Sequence, residues 1–379
     1  MRKRTIRLGD VTDNFDSLRK PVKKTERVAG EFPYYGASGV VDHVDNYIFD
    51  GEYLLIAEDG ENLRSRSTPI AFMAAGKFWV NNHAHVVRGN HLADTRFLNY
   101  LLAITDISGY LTGSAQPKLS RASMDSIQIS LPDLDTQRAI AEVLGALDDK
   151  IAANNRAFRI VEYLGVAKFT QLGLDEESQN APVPFADFFE VNPRRTVTSD
   201  APITVNMQAL PTTGPLINSW SRGKRKGGAR FTNGDTLLAR ITPCLENRKT
   251  AYVDFLNADE VGIGSTEFIV LRSKEGLPLG LSYFMAISSR FRDFAIQNMV
   301  GTSGRQRVSA QDLERYSLSP IDRSHLQEFG EWADINLAYL GSLRDENNAL
   351  SATRDALLPQ LMSGKLRVRD AEAVVEDVL

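Results

Sequence analysis

Apolar residues along this chain follow two kinds of pattern, and the two alternate. After Pro132 they step by fours and threes through Ile140, Leu144, Leu147, Ile151, Asn154, Phe158, Val161, Gly165, Lys168 and Leu172. After Pro320 the same spacing runs through Leu326, Phe329, Ala333, Asn336, Leu340, Leu343, Asn347, Leu350, Arg354, Leu357 and Leu361. A 3.5-residue repeat draws one narrow stripe along a helix, the geometry of a seam between paired helices. Each run covers roughly 37 residues, which at 1.5 Å per residue is a thin rod that cannot bury its stripe alone. The other run is the available partner, and the Asn residues on both seams would fix the register of an antiparallel pair at some cost in stability. The alternative, each helix lying on its own neighbouring block, fits so long and narrow a stripe less well. Ser324 and Gln327 fit a capping box at the start of the second run, and Gly173 and Gly364 stand where C-terminal caps belong.

The stretch ahead of each long helix is mixed. Tyr53–Ala57, Trp79–Val87, Thr236–Ile241 and Glu267–Leu271 alternate as strands do, with Gly- and Pro-rich punctuation between them. Phe97–Ile104 and Leu281–Ala295 read as short helices. The two stretches are also copies of one unit, offset by roughly 185 residues. Phe49–Leu55 matches Thr232–Leu238, Asn82–Arg88 matches Ser265–Leu271, and Ser114–Ser120 matches Ser303–Ser309. A short apolar ladder follows in each copy: Met124, Ile127, Ile129 and Leu131, then Leu313, Tyr316, Leu318 and Pro320. The predicted fold class is therefore α+β: two pseudo-symmetric blocks, each with a curved antiparallel sheet, separated by an antiparallel two-helix coiled coil. The expected divisions are 1–132 and 183–322 for the blocks, 133–182 for the first long helix and a linker, and 323–379 for the second helix and a tail.

The net charge of −4 looks wrong for a nucleic-acid binder, but the charge is segregated. The blocks are neutral to basic, with 16 Lys and Arg against 15 Asp and Glu in 1–132 and 17 against 14 in 183–322. The helical stretches carry the acid, 5 against 9 and 6 against 10. A binder needs one positive face rather than a positive whole. The lone cysteine, Cys244, excludes an internal disulfide and a multi-cysteine zinc cluster. No apolar segment follows the basic N-terminus as a secretory signal requires, and no window is long enough for a membrane span, so a cytoplasmic location is expected.

Particular residues carry a family resemblance. Ile129-Ser130-Leu131-Pro132, Thr136 to Leu144 (TQRAIAEVL) and Leu147 to Arg156 (LDDKIAANNR) resemble the central helix of type I restriction-modification specificity subunits. Leu357 to Val368 (LLPQLMSGKLRV) resembles that family's C-terminal helix ending, and Gln116 to Ser120 (QPKLS) the segment before its first helix. The second copy departs from the pattern ahead of its helix, where Ser324-His325-Leu326-Gln327 lacks a clear Gln-Arg-Ile run. The resemblance implies that each block is a target recognition domain for one half of a split double-stranded DNA site, with the paired helices as a ruler for the gap. It implies docking to two modification (methyltransferase) subunits, which carry S-adenosylmethionine, and through them to restriction subunits that use ATP and Mg. No cofactor or metal is expected on this chain, and no catalysis. A non-catalytic protein-interaction scaffold with two partner-binding domains is the alternative.

Candidate DNA contacts are cationic or amide side chains in polar loops. Arg222, Lys224, Arg225, Lys226 and Arg230 crowd five cations into nine residues among glycines that allow close backbone approach to phosphates. Arg305, Gln306 and Arg307 have side chains suited to guanine and adenine edges, and Gln116 and Lys118 are their repeat mates. Arg64 and Arg66 lie in a loop that aligns with Thr242–Arg248. Arg194 and Arg195 open the second block where Lys20, Lys23 and Lys24 open the first. His83, His85 and His91 lack the companion ligands a metal site needs, so packing or base contact is the better reading. Pro132-Asp133 with Asp148-Asp149-Lys150 matches a nuclease string in letters only, because its second half falls in a heptad helix rather than on a strand. Methyltransferase, phosphate-loop and nucleophile-elbow motifs are missing.

Overall fold

The computed structural model describes residues 3–176, 181–224, 227–302 and 304–379. The chain divides into two compact units, Met1–Lys150 with Leu350–Leu379 and Ile151–Ala349. The first holds β1 (Arg4–Arg7), β2 (Thr12–Asn14), β3 (Ala29–Gly36), β4 (Gly39–Val44), β5 (Phe49–Asp50), β6 (Tyr53–Ala57), β7 (Ala71–Ala74), β8 (Lys77–Val80), β9 (Ala84–Gly89) and β10 (Gln128–Leu131). The second holds β11 (Val183–Pro184), β12 (Phe189–Val191), β13 (Ile203–Thr204), β14 (Ser221–Arg222), β15 (Arg230–Phe231), β16 (Thr236–Ala239), β17 (Thr250–Tyr252), β18 (Gly262–Ile263), β19 (Phe268–Ser273) and β20 (Ser317–Leu318). Helices α1 (Asn62–Ser65), α2 (Thr95–Ile104) and α3 (Arg121–Ser126) precede the long α4 (Leu134–Leu172). Helices α5 (Leu281–Ile287), α6 (Ser289–Gln297) and α7 (Ala310–Glu314) precede the long α8 (Arg323–Ser363), and α9 (Val368–Glu376) follows it.

The duplication is explicit in the strand order. The first unit has sheets β2-β9-β6-β7, β4-β3-β8-β5 and β1-β10, and adding ten to every number gives the sheets of the second. The correspondence extends to direction, since β3 with β8 and β13 with β18 are the parallel pairs. It extends to register as well: Leu54 faces Val87 in one copy and Leu237 faces Val270 in the other. Each block thus holds two four-stranded sheets, one of them mixed, where the alternation suggested a single curved antiparallel sheet. Trp79–Val87 is also not one strand. β8 and β9 belong to different sheets, and the turn at Asn81 to His83 separates them. Leu281–Ala295 is broken at Ser288, whose extended backbone (φ −61°, ψ 144°) ends α5 and starts α6.

Both long helices begin on an aspartate. Asp133 accepts from the Thr136 N–H at 2.9 Å, and Asp322 accepts from the Ser324 N–H at 2.7 Å. The cap of α8 is therefore Asp322 rather than Ser324, because a carboxylate two residues earlier already takes the free N–H. Gly173 and Gly364 close the helices at φ 72° and 78°.

Within the first unit, Ile140, Leu144 and Leu147 of α4 and Leu350, Leu357 and Leu361 of α8 are buried, and Arg354 reaches Asp148 at 2.6 Å. Within the second, Asn154 donates to Asn347 at 2.9 Å and to Glu346 at 2.7 Å. Further along α4, Phe169 meets Phe329 with ring centroids 5.6 Å apart. A rising number on α4 meets a falling one on α8, so the helices pair antiparallel. Ile151, Phe158 and Asn347 are half-buried, while Leu340 and Leu343 are buried.

Pairing and packing on a block turn out to be compatible. In the second unit, Phe169, Phe329, Ala333, Leu337 and Leu340 share one core with Tyr283, Phe284, Phe185 and Phe291 of the block. Two helical glycines permit the close approach. A Cβ on Gly165 would lie 2.2 Å from the Phe284 ring, and one on Gly330 would lie 1.9 Å from Pro278. Glycine to alanine in a free helix gains about 1 kcal/mol. Here the sign reverses: Gly330→Ala is expected to cost about 1–3 kcal/mol, as overpacking does, read as a lower denaturation midpoint. An unchanged or raised midpoint would show that Gly330 is no contact point.

Candidate nucleic-acid interface

In each copy a loop leaving the central strand meets a loop from just before the short α3 or α7 helix. In the first unit Asp59 bridges to Lys118, the Gly60 N–H donates to Pro117 O at 3.1 Å, and the Leu119 N–H donates to Glu58 O at 2.8 Å. In the second, Ile241 bridges to Arg307, the Thr242 N–H donates to Gln306 O at 3.0 Å, and the Val308 N–H donates to Arg240 O at 3.0 Å. Ser120 and Ser309 then cap α3 and α7. The matched segments Ser114–Ser120 and Ser303–Ser309 are thus equivalent in three dimensions within their own units, apart from Ser303, which lies outside the described residues.

The candidate cations fall into two groups. Gln116, Lys118, Arg194, Lys224 and Arg305 are exposed, and Lys118 pairs with Glu58 at 3.4 Å. Lys20, Lys23 and Lys24 are exposed as well. The others are engaged by the protein. Arg64 donates to Gly113 O at 2.8 Å and Ser114 O at 3.2 Å, bracing the loop that carries Gln116. Arg66 donates to the carbonyls of Leu102, Ala103 and Thr105 and so caps the end of α2. Arg195 donates at 2.7 Å to the fully buried Asp235, which Arg272 also reaches at 2.9 Å. Burial pushes the Asp235 carboxyl above its ordinary value, and the Arg195 and Arg272 charges pull it back. Arg222 grips Glu260 with two bonds of 2.6 and 3.1 Å. Arg307 makes three bonds of 2.8–3.0 Å to Glu267, and Gln306 is half-buried. Arg225 and Lys226 lie outside the described residues.

The second unit gathers several of these into a cleft of about 660 Å³ lined by Asn192, Arg194, Arg195, Gly228, Arg230, Arg240 and Phe268. Arg195 Nη1 donates to the carbonyl of Arg230 at 3.2 Å, and Arg230 donates back to the carbonyl of Arg195. Arg240 was not singled out from the sequence. The offset matches set it against Ala57, and only the loop bonds, Leu119 N–H to Glu58 O and Val308 N–H to Arg240 O, put it at the place of Glu58.

The matching place in the first unit is filled by its own side chains. His85 is 1 % exposed and holds Asp16 at 2.6 Å through Nδ1 and Leu119 O at 2.8 Å through Nε2. Each ring nitrogen thus lies within hydrogen-bond distance of one oxygen. Arg19 spans Glu58 at 2.7 Å and Ala84 O at 2.8 Å. His83 pairs with Asp59 at 2.8 Å, and His91 is exposed. Among the described residues no group of three His, Cys, Asp or Glu side chains could hold a metal ion. The nuclease string is dispersed: Asp133 caps α4, and Asp148, fifteen residues along the same helix, binds Arg354 and the Tyr100 hydroxyl.

Burial alone would raise Asp16, but hydrogen bonds from His85 and the Val86 N–H, with the His85 and Arg19 charges, hold it below the usual carboxylate value. A lowered carboxylate adds stability that is fully present above its unfolded value of about 3.9 and is lost as the pH falls through the folded one. Asp16→Asn is therefore expected to lower the first unit's denaturation midpoint at pH 7, by a difference that shrinks as the pH falls below about 3.9. A difference that persisted undiminished at pH 3 would refute the ionised pairing.

A family model described as the type I restriction modification DNA specificity domain matches residues 3–159. A type I restriction enzyme specificity subunit of Haemophilus influenzae is 41 % identical over 141 residues, 37 % of this chain and 36 % of that protein. The EcoAI specificity subunit of Escherichia coli is 33 % identical over 139 residues, 36 % of this chain and 22 % of that protein. The matched segments thus span about a third or less of those relatives. The crystal structure of a type I restriction-modification system S subunit from M. genitalium shares the fold, with a TM-score of 0.59 at 12 % identity over 95 % of this chain and 96 % of that one. Residues 3–159 thus match the type I restriction modification DNA specificity domain, and the chain shares the fold of an S subunit over nearly its full length.

Proposed function

We propose that the chain is the sequence-reading subunit of a type I restriction-modification complex, in which each block reads one half of a split duplex site. The observation that carries this reading is the duplication: one topology occurs twice, and each copy exposes the same loop pair with different chemistry. Glu58 with Lys118 stands in one copy where Arg240 with Arg307 stands in the other. A constant scaffold with variable loops suits two different half-sites. Exposed cations at Lys118, Arg194, Lys224 and Arg305 would hold phosphates, and the amide and guanidinium groups near them would reach base edges.

Methyl transfer and cleavage belong, on this reading, to partners. Two modification subunits would bring S-adenosylmethionine, and restriction subunits would bring ATP and Mg. The paired α4 and α8 set the gap between half-sites. Among the described residues no helix is long and apolar enough to cross a membrane. The test is genome-wide mapping of methylated adenine in cells carrying this chain with its modification partner. A single bipartite motif is expected. A partner that methylates without sequence preference in its presence would leave the chain a scaffold.

A further inference from the structure

We propose, building on the DNA reading above, that the arginine-lined cleft of the second unit is a seat for one backbone phosphate, and that the first unit has no equivalent seat. The matching loop bonds put Arg240 where the first copy has Glu58, since the Glu58 carbonyl accepts from the Leu119 N–H and the Arg240 carbonyl from the Val308 N–H. In the first copy that place is sealed, because Arg19 binds Glu58 and the Ala84 carbonyl while Asp16 takes His85. Every charge there already has its partner. In the second copy the cation has none of matching quality. Arg240 Nε is buried and has no hydrogen-bond partner among the described residues, and its nearest carboxylate oxygen, on Glu267, is 4.0 Å away. Arg307 already takes both oxygens of Glu267. Arg194 is exposed at the rim of the same cleft, and Arg195 and Arg230 hold each other's backbone carbonyls across it.

A buried guanidinium N–H without an acceptor is costly unless a ligand supplies one. Cations converging from the 192–196 segment, the 228–230 segment and the end of β16 fit an anion with several acceptor oxygens better than a single base edge, which one guanidinium fork would satisfy alone. On a duplex that anion is a phosphodiester. The two half-sites would therefore be held unequally, with the second contributing more to the salt dependence of binding.

The test uses the full chain assembled with its modification partner, titrated with cognate and unrelated duplexes over a range of salt concentrations. Arg240→Gln and Arg194→Gln are each expected to weaken binding about tenfold on both duplexes and to reduce the slope of log affinity against log salt by about one. Arg240→Lys keeps the charge and should keep the slope. Arg19→Gln, which breaks the sealed network of the first unit, should lower the melting temperature and leave the slope alone. The proposal is overturned if Arg240→Gln melts like the parent and retains its slope, or if its loss is confined to the cognate duplex, which would make Arg240 a base reader. The unrelated duplex separates the two readings. A parent complex that binds both duplexes equally refutes sequence reading, while its slope still decides whether the phosphate seat exists.

Discussion

If the two blocks read separate half-sites, deleting residues 149–155 from α4 together with 346–352 from α8 should shorten the gap between those half-sites by about three base pairs. Seven residues of helix span about 10 Å, close to three base-pair steps of 3.4 Å. A whole heptad keeps the seam in phase, so Leu147 and Leu357 still face inward. The pair of segments is chosen to leave neighbouring anchors intact. It removes Asn154 with its partners Asn347 and Glu346, and spares Arg354–Asp148 on one side and Arg344 on the other. Removing a heptad turns the helix faces by only about 20°, whereas three base pairs turn the duplex by roughly 100° at about 10.5 per turn. The shortened complex should thus bind its new site more weakly than the parent binds the old one, and methylation at the original spacing should be largely lost. Half-site sequences should not change. A methylation map showing the parent gap would remove the ruler role.

The second large effect is on stability. Arg344 is 4 % exposed, donates to Asp254 and Asp345, and stacks over Trp220 at 5.5 Å. Trp220 in turn stacks on Phe255 with centroids 4.1 Å apart. Burial raises the Asp254 carboxyl and the Arg344 charge opposes that rise. Removing the guanidinium leaves a buried carboxylate unpaired, which costs about 3–5 kcal/mol. Arg344→Ala should lower the melting temperature of the second unit by roughly 10 °C, at about 2–4 °C per kcal/mol for a body of this size. Adding Asp254→Asn should recover part of the loss, because the stranded charge goes with it. An Arg344→Ala chain that melts like the parent would show the pair to be idle.

The long helices were legible because a 3.5-residue stripe is periodic and local. Ile140, Leu144, Leu147, Leu350, Leu357 and Leu361 are buried where that stripe puts them. The duplication was legible for a related reason: offset matches such as Leu54 with Leu237 survive even where identity is low. Strand boundaries were harder to see. Nothing in the apolar run from Trp79 to Val87 announces that the chain leaves one sheet for another at Asn81. The cationic loops stood out by composition, but composition cannot reveal which cations the fold has already claimed. Asp235, Glu260 and Glu267 lie 37 to 40 residues from the arginines they hold. Arg240 escaped notice for the opposite reason, as a lone cation at the end of an apolar strand, and that its Nε lacks a hydrogen-bond partner among the described residues is visible only in three dimensions.

If the two blocks read half-sites independently, replacing residues 183–322 with the corresponding block of a divergent relative should rewrite only one half of the methylated motif. The experiment is a genome-wide adenine-methylation map of cells carrying the exchanged chain and the unchanged modification partner. The expected map keeps one half-site and the gap and acquires a new second half-site. A map identical to the parent's, or one in which both half-sites change together, would contradict division of the reading between two duplicated blocks.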